Sequence, residues 1–166
     1  MASSLDEIDV RLLAELQTDA DRPNVELARI VGLSPAATLN RVRRLKESGV
    51  IRRISARLDS GAAGFPLQVY VTVTLARHEE AANRRFEEAV RAMPHVIAAD
   101  HVTGEVDAVL TVVARDVADL QQVLVRLSTR GATRLITLLR LSEIKPSSPL
   151  PVRPAGASGR GRDGRR

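Results

Sequence analysis

Two short helical stretches hinged on one glycine, between residues 24 and 49, constrain this chain more than any other part of its sequence. Leu27, Ala28 and Val31 recur at helical spacing behind Asn24, which stands at the expected N-cap with an oxygen for first-turn amides. Gly32 follows the last periodic residue, where the backbone turns left-handed and a missing Cβ removes the steric cost. Ser34 and Pro35 then supply a second cap and a proline at the first helical position, where no N–H is needed. In this second helix the spacing sends Leu39, Val42 and Leu45 inward, sets Thr38, Arg41 and Arg44 on another face, and ends at Gly49.

The charge around that second helix is one-sided. Arg41, Arg43, Arg44, Lys46, Arg52, Arg53 and Arg57 face a single nearby acid, Glu47. A short helix, a glycine turn and a second helix that opens on the small residues Ser34, Ala36, Ala37 and Thr38 form a DNA-reading helix-turn-helix. Small residues let the backbone approach base edges, and later cations reach phosphates. The expected division of labour gives base reading to Thr38 or Asn40 and phosphate contacts to Arg41, Arg43 and Arg44, each phosphate contact adding roughly one unit to the salt slope.

Distribution of charge carries this argument, not its sum. The formal net charge is +5, but beyond Val152 five arginines stand against Asp163, so the remainder of the chain is nearly neutral. The stretch 153–166 is too poor in apolar residues to pack and is expected to be a disordered basic tail. With 44% hydrophobic and 27% charged residues, the rest has an ordinary globular composition. No apolar run of about 18 residues offers a membrane span, and the first residues lack the basic end and apolar stretch of a signal peptide, so the expected location is the cytoplasm. The absence of cysteine excludes disulfides and thiolate metal sites.

Leu5, Ile8, Leu12, Leu13 and Leu16 mark a helix ahead of the pair, with Asp6, Glu7 and Asp9 at its N-terminal end. Together these elements assign residues 1–51 to a DNA-binding domain. Residues 52–65 read as an extended linker punctuated by Gly61 and Gly64. From residue 66 to 152 the period changes: Leu67, Val69, Val71, Val73 and Leu75 alternate with polar positions as a strand does. A helix over 79–93, strands over 95–103 and 106–114 around Gly104 and Glu105, a helix from Val117 to Leu127 and a strand over 133–144 complete a β-α-β-β-α-β order. That order gives an α+β fold, a ferredoxin-like four-stranded antiparallel sheet with both helices on one face. The bare face predicts a dimer.

Five blocks carry a resemblance: Leu5-Asp6-Glu7-Ile8-Asp9, Gly32-Leu33-Ser34-Pro35, Arg41-Val42-Arg43-Arg44-Leu45, Ser48-Gly49-Val50-Ile51 and Val102-Thr103-Gly104-Glu105-Val106-Asp107. In these, over roughly residues 5–152, the chain resembles Lrp/AsnC regulators, the feast/famine proteins of bacteria and archaea. The resemblance implies an N-terminal winged helix-turn-helix on double-stranded DNA, with Ser34, Ala36, Ala37, Thr38, Asn40, Arg41, Arg43, Arg44, Arg52 and Arg53 at the interface. It implies a C-terminal domain that binds an amino-acid effector and makes dimers, often assembled into octamers, with no cofactor. A dimer that presents two second helices to successive major grooves calls for a roughly palindromic operator. The effector site maps onto Val102, Thr103, Gly104, Glu105, Val106 and Asp107: loop amides and Thr103 for the carboxylate, Asp107 or Glu105 for the amino group, and Thr137 from a neighbouring subunit. Val106 and Ala108 depart from the aromatic and large residues common in the family, which bears on pocket shape and effector identity.

Other classes fit the residues less well. Some relatives of this architecture are tetrapyrrole decarboxylases, and a DNA-independent amino-acid sensor would share the C-terminal half. The imidazoles are His78, His95 and His101, and the last two, if on one strand, lie about 20 Å apart, too far to share a metal. Asp100 and His101, as strand neighbours, point to opposite faces. An RNA-binding sheet needs aromatic platforms, and one tyrosine with two phenylalanines does not make them. No catalytic or metal-binding residue is therefore assigned.

Overall fold

The computed structural model describes residues 5–75 and 80–154. His78 and most of the expected basic tail lie outside them. The chain divides into two compact units, one formed by residues up to Ala56 together with those from Lys145 on, the other by Arg57–Ile144.

The first unit is built on α1 (Glu7–Thr18), α2 (Asn24–Val31) and α3 (Pro35–Glu47). Asp6 and Asp9 form a capping box at the start of α1: the Asp6 carboxylate accepts from the Asp9 amide at 2.8 Å and the Asp9 carboxylate from the Asp6 amide at 3.3 Å. Leu12, Leu27, Val31 and Val42 make the core, with Ile8, Leu16, Ile30 and Leu33 packed around it. Gly32 ends α2 at φ +73°, and the Leu33 amide reaches back to the Ala28 carbonyl, closing the turn that the sequence anticipates.

Two local expectations are corrected. Asn24 is the first residue of α2 and not its cap: its Nδ2 donates to the Pro35 carbonyl at 2.8 Å and ties the starts of α2 and α3 together. Asn24→Ala is therefore expected to lower the urea stability of the helical unit by about 1 kcal/mol, and an unchanged midpoint would assign that bond no net value. Leu39, expected inward, is 48% exposed, while Thr38 is completely buried beside Val42 and Leu45. A step of one residue turns a helix by about 100°, so exchanging adjacent positions moves a side chain from one face to another.

Residues 50–66, which include the expected linker 52–65, carry no strand. Returning to the helices from the other end of the chain, Leu150 exchanges two hydrogen bonds with the side chain of Gln17 on α1, at 2.7 and 3.3 Å.

The second unit is a four-stranded sheet in the order β2-β3-β1-β4, from β1 (Leu67–Leu75), β2 (Val96–His101), β3 (Ala108–Ala114) and β4 (Ala132–Leu139). All pairings are antiparallel. Helices α4 (Glu80–Ala92) and α5 (Val117–Ser128) supply Phe86, Val90, Val123 and Leu127 to the face of Val69, Val71, Val73 and Leu75. The other face carries Tyr70 beside Leu138 and Thr72 beside Ile136, with Tyr70, Ile136 and Leu138 exposed. The last strand stops at Leu139, short of the expected 144, and Leu141 and Ile144 lie in solvent.

Candidate DNA-reading face and effector loop

Helix α3 is fixed from both sides before it presents anything. Its N-terminus is set by Ser34, whose Oγ accepts from the Ala37 amide at 3.2 Å. The Thr38 hydroxyl donates to the Ser34 carbonyl at 3.1 Å. With no accessible surface and a bonded hydroxyl, Thr38 cannot read a base, which corrects that expectation. Ala37 is half-buried.

Two arginines expected on phosphates are also engaged elsewhere. Arg41 Nη1 lies 2.6 Å from Asp6 Oδ2 and 2.9 Å from Asp9 Oδ1, and Arg44 Nη2 lies 2.7 Å from Asp9 Oδ2. Asp9 is buried, so these pairs lock α1 to α3 in a partly desolvated setting where charge-assisted bonds are strong. The amide of Asp9 and then the Arg41 guanidinium hold the Asp6 carboxyl below the usual carboxylate range. The sequence hides this role because the partners are 32 to 35 residues away. Arg57, counted with the cations of α3, belongs to the other unit and faces Glu143 at 3.9 Å.

The outward face of α3 centres on one strip, with Pro35, Leu39, Arg44, Lys46 and Glu47 also exposed around it. Ala36, Asn40 and Arg43 are exposed one turn apart, opposite buried Thr38, Val42 and Leu45. Arg43 has no ion-pair partner among the described residues. Arg52 and Arg53 are exposed on the segment after α3. Leu39, missed as a surface residue, borders the strip.

In the sheet unit, residues 102–107 form a loop and not the expected two-residue turn. Asp107 anchors it: its amide donates to the Val73 carbonyl at 2.9 Å and its Oδ2 accepts from the Leu75 amide at 2.8 Å, clasping the end of β1. Across the loop base the Val102 amide donates to the Asp107 carbonyl at 3.1 Å. Gly104 adopts φ +124° with open space where a Cβ would stand, so backbone conformation and not crowding calls for glycine. Thr103 and Glu105 project into solvent and Val106 is half-buried. Thr137 is not brought to them within one chain: it pairs with Val71 on the far side of β1, two strands and two residues from Ala108, or about 12 Å. A cavity of about 130 Å³ under α4 is lined by Phe86, Val90, His101, Ala108 and Leu110 and not by the loop.

His95 and His101 have structural neighbours. His95 Nε2 is 3.4 Å from Asp119 and its ring meets Phe65 edge-on, while His101 Nε2 is 3.3 Å from Glu87. Three bonds from Arg115, one from its backbone and two from its guanidinium, hold the Asp119 carboxyl far below its ordinary value.

Both halves match known families. The AsnC-type helix-turn-helix domain covers residues 5–46 and the Lrp/AsnC ligand binding domain residues 68–150. The chain is 40% identical to the HTH-type transcriptional regulator AldR of Mycolicibacterium smegmatis over 75% of its own length and 72% of that protein. It is 36% identical to the leucine-responsive regulatory protein of Rhizobium meliloti over 85% of its length and 92% of that protein. A transcriptional regulator from Neisseria meningitidis, solved with L-Met, superposes with a TM-score of 0.83 at 30% identity, covering 89% of this chain and 97% of the other. With its helical and its sheet half both matched, in the same order, the chain belongs to the Lrp/AsnC family of transcriptional regulators.

Proposed function

We propose that this regulator places the Ala36, Asn40 and Arg43 strip of α3 in the major groove of double-stranded DNA, and that its 102–107 loop senses an amino acid. The observation that carries the first half is the division of α3 itself: capping, burial and pairing with Asp6 and Asp9 occupy Ser34, Thr38, Arg41 and Arg44, and leave this strip open. Its chemistry suits a groove. A small residue admits the backbone, an amide pairs with adenine, and an unpaired guanidinium takes a guanine edge or a phosphate. Arg52 and Arg53 add backbone contacts beyond the helix.

For the sensor, the loop amides and Thr103 hold the carboxylate of the effector, Glu105 holds its ammonium group, and Thr137 closes the site from a second copy. Asp107 is occupied in anchoring the loop. The Neisseria meningitidis neighbour was solved with L-Met and the Rhizobium meliloti relative is named leucine-responsive, so an apolar amino acid is the first candidate. The bare sheet face with Tyr70, Ile136 and Leu138 joins two copies, which presents two α3 helices to one operator and is the unit from which an octamer assembles. The protein then works on cytoplasmic DNA, by binding and without catalysis.

The test is binding of the full chain to its own promoter region over a salt series, with and without each of the twenty amino acids. Specific retention altered by one or a few amino acids is the expected result. Arg43→Ala is expected to lower the salt slope by about one unit and leave thermal stability unchanged. Indifference to duplex DNA in dilute buffer rejects the first half, and indifference to all twenty amino acids rejects the second.

A further inference from the structure

Leu39 is an aliphatic side chain standing on the outer surface of a helix whose apolar needs are already met. Thr38, Val42 and Leu45 supply the buried face of α3, and every other outward position from Asn40 on is polar or charged. Leu39 is about half exposed, adjacent in sequence to Asn40, one turn after Ala36 and one turn before Arg43. Pro35 and Ala36, at i−4 and i−3, are exposed beside it and extend a narrow apolar border along the strip. A single surface leucine is ordinary on most helices. Here it shares a face with the amide and the guanidinium that remain open.

In the major groove each base pair offers donors and acceptors, but only thymine offers an apolar group, its 5-methyl. A leucine has no polar atom with which to satisfy any other base edge, and placing it over one costs the hydrogen bonds that water made there. We propose that Leu39 reads a thymine in each half-site through the 5-methyl group, beside the base pair read by Asn40. This rests on the assignment of α3 to the major groove. It adds that an apolar contact, and not only hydrogen bonds, sets sequence preference, with thymine as its object.

Deoxyuridine tests this directly, because it removes the methyl and leaves the pairing, charge and groove edges of thymine in place. On a promoter fragment footprinted with the full chain, each thymine of the protected region is replaced in turn and affinity is measured at fixed salt. The wild-type protein is expected to lose about fourfold at one thymine position per half-site, and about fifteenfold when both half-sites are substituted, the range for one buried methyl at each. Leu39→Ala is expected to bind the thymine and uracil fragments equally, at the wild-type affinity for uracil, and Leu39→Met to restore the preference for thymine. Because Leu39 is outside the core, both variants are expected to melt at the wild-type temperature. A wild-type protein that tolerates deoxyuridine at every position overturns the inference, as does a methyl preference that survives undiminished in Leu39→Ala. Either result leaves groove binding intact, whereas failure to protect any DNA removes that assignment and this one together.

Discussion

Asp9→Ala is expected to loosen the helical unit by about 3 kcal/mol, the largest effect of any polar substitution in it, and to leave the sheet unit folded. Asp9 is 1% exposed and holds Arg41 through one carboxylate oxygen and Arg44 through the other, while also accepting from the Asp6 amide in the capping box. Alanine removes all three acceptor contacts and leaves Arg41–Asp6 as the remaining ion pair between the start of α1 and α3 among the described residues. The two guanidiniums are partly exposed and recover water, which keeps the cost near the lower end of the range for a broken buried pair. Urea unfolding followed by probes placed separately in the helical unit and in the sheet unit should then show two transitions, that of the helical unit shifted down. DNA affinity should fall with the folded population of the helices, and protein kept folded by low temperature should regain part of it. A helical midpoint equal to that of the wild type would mean that the pairs are ornamental. The sign with pH follows from Asp6. Its folded pKa lies below the unfolded value, so its contribution is fully present above about pH 4 and is lost as pH falls through the folded pKa. The helices are therefore expected to weaken in acid.

These arginines show where sequence reading reaches its limit. The three helices, the glycine hinge and the β-α-β-β-α-β order are legible because each is written in local periodicity, and β1 spans Leu67–Leu75 as the alternation marks it. Which cations are available to DNA is not local. Arg41, Arg43 and Arg44 are equivalent in a sequence of basic residues, and only the packing of α1 against α3 separates two that are paired from one that is open. The exchange of Thr38 for Leu39 has a related cause. Hydropathy favours burying leucine, but helix register, fixed by Val42 and Leu45, puts the threonine inside, where its hydroxyl is satisfied by the carbonyl of Ser34. In the sheet unit the loop was legible as a place but not as a mechanism, since the partners of Asp107 lie 32 and 34 residues earlier on β1.

The two loop carboxylates are expected to part company on substitution. Asp107→Ala leaves the buried Leu75 amide without its acceptor and unclasps the loop from β1, a loss of about 1–3 kcal/mol together with the amino-acid response. Asp107→Asn keeps an oxygen where Oδ2 now accepts, so both stability and response should largely return. Glu105 behaves in the opposite way. Its side chain is exposed at the loop tip with no hydrogen-bond partner among the described residues, so Glu105→Gln should leave unfolding unchanged. If its charge holds the effector's ammonium group, the same change should weaken amino-acid binding by about tenfold or more, since a charge-assisted bond becomes a neutral one. Titration calorimetry beside thermal melts separates the cases. Should Asp107→Asn abolish amino-acid binding in a stably folded protein while Glu105→Gln leaves it untouched, the ammonium contact belongs to the Asp107 carboxylate, and the anchoring bond to Leu75 serves to aim it.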